Sequence, residues 1–226
     1  NNKLLIMRRI AMQLPYSEEL NIEYLGRLFD NTSECYKFFW FKAIVSKVTE
    51  GKQELSYEEL VNEMITDAWY MVTEYHLNLG PKDTLEGVVN LIKEKYPDLK
   101  SCEKKSVILD LLRTTENRDI ISKKRTLTYN VPYRLQSPFM SSMKGDAWKA
   151  SDSNLIEKIN QEQRLMYYFT ALNGLATRII IYDDWANYIN INQEIIKGWL
   201  EYNMILYIQK RNPNVPGIAD KLYPPQ

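Results

Sequence analysis

The segment Glu34–Val48, ECYKFFWFKAIVSKV, sets the strongest constraint on the fold. Phe38, Phe39, Trp40 and Phe41 are consecutive, and Ala43, Ile44, Val45 and Val48 follow. Residues on a helix advance by about 100° each, so four adjacent aromatics cover most of its circumference. A helix that is apolar nearly all round must be surrounded by other elements. It cannot be a membrane span, which needs roughly 20 apolar residues, and Lys37, Lys42 and Lys47 interrupt it. The expectation is a central core helix.

Other helices are expected around it. Leu20, Tyr24 and Leu28 share a face after Ser17-Glu18-Glu19, and Asn31-Thr32-Ser33 reads as the cap of the core helix. Gly51 suits its C-terminal end. Ser56-Tyr-Glu-Glu59 is a capping box for a helix to about Tyr75, and Asp83-Thr-Leu-Glu86 is a second such pattern, ended by Pro97. Ser101 reads as the cap of a further helix through Val107, Ile108, Leu111 and Leu112. Such short-looped helices pack as antiparallel neighbours.

The pattern changes at Lys123, where KKRTLTYNVPYRLQSPFM begins. Thr126, Thr128, Tyr129 and Val131 favour extended chain, and Pro132 and Pro138 exclude one continuous helix. Asp152 or Ser153 then caps a helix from Leu155. LMYYFT (165–170) and TRIIIY (177–182) flank Asn173-Gly174 and read as a β-hairpin. Asp183-Asp184-Trp185 starts a helix, and Gln193 to Lys210 forms another. The fold class expected is mainly α: a multi-helix domain with a small β-hairpin and a long irregular aromatic and basic segment. Residues 1–211 form the helical domain, with 123–152 as the alternative sub-boundary. Residues 212–226, with four prolines, read as an extended linker. Residues 1–14 are amphipathic and basic, and docking onto the domain is favoured over membrane contact.

Twenty-nine bases balance 29 acids, so no global pull on nucleic acid or membrane is expected. Cys35 and Cys102 are far apart and read as reduced thiols of a cytoplasmic protein. There is one histidine, His76, at a helix end; metal and nuclease centres built on imidazole need more. Asp183-Asp184 reads as a helix first turn rather than a metal pair. No phosphate-binding glycine loop, dinucleotide fingerprint or nucleophile elbow is present. Catalytic, cofactor and metal residues are therefore none.

The positive signal is charge segregation. Glu54 to Glu86 holds eight acids against Lys82, net −7, whereas Leu91 to Arg134 holds eleven bases against six acids, net +5. Lys123, Lys124, Arg125, Tyr129, Tyr133 and Arg134 interleave bases with aromatics, and Asn130 and Gln136 add amides. That mixture suits phosphate contacts with stacking or base-edge contacts. The alternative is a loop whose aromatics dock on the domain or whose bases pair with the acidic helix.

Four blocks, LPYSEELNIEYLGRLFDNTSECYKFFWFKAI (14–44), LSYEELVNEMITDAWYMVTEYHLNLGPKD (55–83), RTLTYNVPYRLQSPF (125–139) and NPNVPGIADKLYPPQ (212–226), resemble the N-terminal region of bacterial HNH endonuclease domain-containing proteins. The resemblance spans nearly the whole chain, as segment likeness and not as catalytic motifs. In that family a ββα-metal module follows this region, so the divalent metal is expected only there, and the chain reads as a piece of something longer. The resemblance implies a non-catalytic helical domain that positions or recognises duplex DNA for a nuclease module. The competing expectation is a protein-interaction or autoinhibitory module without nucleic-acid contact, whose partner is the HNH module or another protein. A self-contained enzyme would require a deep pocket with convergent polar groups.

Overall fold

The computed structural model describes residues 13–30, 32, 34–81, 83–140, 153–162 and 165–225. Asn31, Ser33 and Asp152, expected as caps, and residues 1–12 lie outside them. The described chain is mainly helical: α1 (Ile22–Gly26), α2 (Tyr36–Thr49), α3 (Tyr57–Tyr75), α4 (Thr84–Lys95), α5 (Lys105–Thr114), α6 (Arg118–Thr126), α7 (Val131–Arg134), α8 (Ser153–Gln161), α9 (Asp183–Ile191) and α10 (Gln193–Arg211).

The core is organised around α2. Phe38, Phe39, Trp40, Phe41, Ala43, Ile44, Val45 and Val48 are all at most 2% exposed. Burying a side chain of this size stabilises by roughly 1.5–3 kcal/mol relative to leaving it exposed. Helices α3, α7, α9 and α10 pack around α2, which is how an all-round apolar helix is satisfied. Phe29 stacks on Phe38 at 4.2 Å and on Trp199 at 5.0 Å, joining α2 to α10 through an aromatic column.

Helix α3 begins with the expected capping box. Ser56 Oγ accepts from Glu59 N, and the Glu59 carboxylate accepts from Ser56 N. It ends at His76, which is exposed in the left-handed conformation (φ 51°). Asp83 caps α4 by accepting from Leu85 N and Glu86 N, but Glu86 does not close a box: its carboxylate accepts from Leu79 N instead. Helix α5 starts at Lys105, four residues after the expected Ser101 cap.

The hairpin is present, as β2 (Tyr167–Phe169) and β3 (Arg178–Ile181). A third strand, β1 (Glu54–Ser56), pairs antiparallel with β3 to give the order β1–β3–β2. Three residues carry too little periodicity to announce a strand; its partner lies 126 residues away, Glu54 facing Ile180. The outer edge of β2 is closed by side chains. Gln136 Oε1 accepts from Met166 N and Tyr167 N while its Nε2 donates to Tyr167 O. Asn160 does the same at Phe169, donating to its carbonyl and accepting from its N–H, both at 2.8 Å. Two amides stand where another strand would pair.

The segment expected to be extended is helical. Asn117 caps α6 through Asp119 N and Ile120 N, and Ile120, Lys124 and Leu127 form its buried i, i+4, i+7 line. Pro132 falls in the first turn of α7, and Pro138 in the first turn of a 3₁₀ helix, Ser137–Phe139. Proline is tolerated there because that N–H has no intrahelical partner. The prolines do break the segment, but into short helices and not into extended chain.

Residues 212–225 pack on the domain in place of the expected extended linker. Asn212 Oδ1 accepts from Asn78 N at 2.8 Å, and Asn212 Nδ2 donates to Asn78 O at 2.9 Å. Ile218 and Leu222 are buried, and the Tyr223 ring lies 4.6 Å from Lys42 Nζ. Two apolar anchors outweigh the extended bias of the prolines. Among the described residues, no helix is long and apolar enough to cross a membrane.

Candidate nucleic-acid interface

Helix α6 decides which basic residues reach the surface. Its inward line passes through Ile120, Lys124 and Leu127. Residues 123 and 125 sit about 100° to either side of that line, so Lys123 and Arg125 are exposed on opposite flanks. Lys124 is 1% exposed. Its ammonium lies 2.9 Å from Glu58 Oε1 and donates to the Leu112 carbonyl at 2.9 Å. It cannot take a phosphate without leaving both.

Tyr133 is also lost from the expected surface. It is fully buried, its ring 5.1 Å from Phe169, and its hydroxyl accepts from Tyr57 Oη at 3.2 Å. Desolvation pushes the Tyr57 phenol far above its ordinary range, and the Tyr133 hydroxyl beside it adds to the rise. Gln136 is fully buried at the β2 edge and offers no base-edge contact. Arg134 is half-buried beside Tyr36; burial raises that phenol and the Arg134 charge opposes the rise. Tyr129 is 52% exposed.

The acidic helix buries its middle, while Glu58 and Glu59 are partly exposed at its start and Glu74 is exposed at its end. Glu63 is 1% exposed and holds Lys47 at 2.6 Å and Lys105 at 2.5 Å, and Lys105 also reaches Asp67 at 3.4 Å. Part of the segregated charge is therefore neutralised where α3 meets α5 and α6, with Lys47 of α2 joining at Glu63.

What remains is smaller and better defined. Arg125 and Tyr129 stand at the mouth of a cleft of about 170 Å³, whose lining also includes Tyr57, Tyr133, Leu172 and Thr177. Leu172 and Thr177 come from the connection between β2 and β3. Arg118 lies seven residues before Arg125, on the same exposed flank of α6. It was not among the residues singled out from sequence, and the signal for it is the helical period counted from Ile120. Among the described residues, Arg118, Lys123 and Arg125 have no carboxylate within ion-pairing distance.

A second cleft, about 310 Å³, lies between α2 and α10 and is lined by Lys42, Val45, Leu200, Glu201 and Tyr223 among others. Its Lys42 is engaged by Asp67 at 3.3 Å. Asp183, from the acidic pair, accepts from Gln53 Nε2 in the first turn of α9. Among the described residues no group of three or more His, Cys, Asp or Glu is placed to hold a metal.

No protein-family model matches this chain, and no curated protein or solved structure matches it.

Proposed function

We propose that this chain is a non-catalytic helical domain of an HNH-type endonuclease protein, and that it positions DNA for a metal-dependent nuclease module. The observation that carries the DNA contact is the pairing of an exposed tyrosine, Tyr129, with an arginine that has no carboxylate partner among the described residues, Arg125, at one open cleft. Arg118 extends the basic surface along the same flank, and Lys123 adds a second exposed base on the opposite one. The association with an HNH module rests on the sequence resemblance alone.

Duplex binding by the full chain, followed by fluorescence anisotropy at low salt and at about 200 mM salt, tests this reading, because phosphate-driven binding collapses over that range. Lys123→Ala with Arg125→Ala is expected to weaken binding and flatten its salt dependence. Unchanged binding removes the assignment.

A second reading has its own observation. Ile195, Tyr202 and Leu206 are each more than 40% exposed on α10, at spacings of seven and four that put them on one face. Lys197 and Glu201 lie round the helix from that stripe, at the cleft with α2, so the stripe itself is an apolar face of the kind that a second copy covers. Sedimentation equilibrium distinguishes the readings: a dimer that Leu206→Glu converts to monomer supports the second, and a monomer at all concentrations removes it.

A further inference from the structure

We propose that the cleft beside Arg125 holds a single unpaired nucleobase, with Tyr129 as its stacking face and Arg125 as the clamp on the adjoining phosphate. This rests on the reading of the α6 face as a nucleic-acid contact and names the part of the nucleic acid it takes.

Size comes first. At about 170 Å³ the cleft is well below the roughly 300–1,000 Å³ of pockets for drug-sized ligands, and several times the ~30 Å³ share of one water. It has room for one ring system. A paired base cannot enter without leaving its partner.

Chemistry comes second. Tyr57 and Tyr133 contribute buried aromatic walls, and Leu172 an apolar one. Thr128 Oγ1 donates to the Arg125 carbonyl and Thr177 Oγ1 accepts from Asn173 N, which leaves the first an acceptor and the second a donor for an occupant, and no carboxylate lines the cleft. The occupant this selects is flat, apolar on its faces, polar at its edge and joined to an anion. Tyr129 is suited to close over it, because its ring stands half in solvent at the mouth. Aromatic stacking accepts every base, since each has a π-face.

Extent comes third. Arg118 and Arg125 are seven residues apart on α6, about 10 Å along the axis. Two guanidiniums so separated reach successive phosphates of a strand better than the phosphate of one small molecule. That favours a single-stranded or locally unpaired polymer over a free nucleotide.

The test uses the full chain and labelled oligonucleotides in fluorescence anisotropy. The probes are a single strand, a matched duplex, and that duplex with one unpaired bulged base. Adenosine monophosphate and a phosphotyrosine peptide serve as competitors. The single strand and the bulged duplex are expected to bind about ten-fold more tightly than the matched duplex. Tyr129→Ala should abolish that preference and Tyr129→Phe should retain it. Arg125→Ala should weaken binding of every oligonucleotide. Equal binding of all three probes, with Tyr129→Ala affecting them alike, overturns the base cleft and leaves the DNA reading standing. Absence of nucleic-acid binding at low salt overturns both. Displacement by the mononucleotide at the strand's own affinity overturns the polymer as ligand, and stronger displacement by the phosphopeptide overturns nucleic acid altogether.

Discussion

The ammonium of Lys124 is 2.9 Å from Glu58 Oε1, a contact between helices that begin 61 residues apart in sequence and that spends the central base of the KKR run on the fold itself. Its neighbours do not share this role. Lys124→Ala is expected to cost about 2–4 kcal/mol, since it removes a charged hydrogen bond and a buried stem. Lys123→Ala and Arg125→Ala should stay within about 0.5 kcal/mol of wild type. Urea unfolding checks this, and three equal midpoints would contradict the buried placement.

Glu63 is the centre of a larger ion cluster. Burial by itself pulls Lys47 and Lys105 down, yet the carboxylates around them, Glu63 in both cases, leave each raised above the ordinary lysine value. Removing the shared anion takes away the buried partner of Lys47 and leaves it the half-exposed Glu50 at 3.0 Å. Glu63→Gln should therefore destabilise by about 3–5 kcal/mol. Calorimetry on Glu63→Gln against Glu59→Gln, at the half-exposed capping box, gives the comparison: the first should lower Tm several-fold more.

Asp83 gives a pH-dependent term of definite sign. Burial pushes its carboxyl up from 3.8 to about 6, against hydrogen bonds from the N–H groups of Glu86, Leu85 and Cys35 that favour the anion, and Glu34 adds to the rise. The folded form thus binds its proton more tightly than the unfolded form. The contribution is fully present below pH ~4 and is lost as pH rises through about 6, a change on the order of 2–3 kcal/mol. Other carboxylates, such as Glu59 with its lowered value, titrate in the opposite sense. The difference between wild type and Asp83→Asn isolates the term: wild type should lose ground to the variant between pH 4 and pH 7. A constant difference across that range would show that Asp83 titrates normally.

The closure of β2 by amides predicts a double effect. Gln136 makes three buried hydrogen bonds to the strand, so Gln136→Leu leaves Met166 N, Tyr167 N and Tyr167 O without partners and should cost more than about 3 kcal/mol. Asn160→Ala should cost less, because that contact is part-buried, but it opens the strand edge. Light scattering on warming should then report earlier association for Asn160→Ala than for wild type.

Wherever a local rule is strong, the residues alone were enough. The aromatic run dictates that α2 is the core helix, because no other placement buries Phe38 to Phe41 together. The Ser56–Glu59 box, the Asp83 cap and the Asn-Gly hairpin are properties of a few neighbouring residues and are found where the sequence puts them. Two of the six residues expected at the nucleic-acid face, Lys124 and Tyr133, illustrate the opposite case. Their type suits that chemistry, but their direction is set by partners 66 and 76 residues earlier, Glu58 and Tyr57.

The sequence by itself determined a mainly helical chain, its core helix, the starts of α3, α4, α9 and α10 and one hairpin, since these follow from periodicity and capping over a single turn or two. Only the tertiary structure decided which charges are spent inside, that β1 joins the sheet, that Ile218 and Leu222 anchor the tail, and that Arg125 meets Tyr129 beside residues of the hairpin connection. Each of those depends on which faces come together across long stretches of chain, and burial and ion pairing are rewarded only once those faces are in contact.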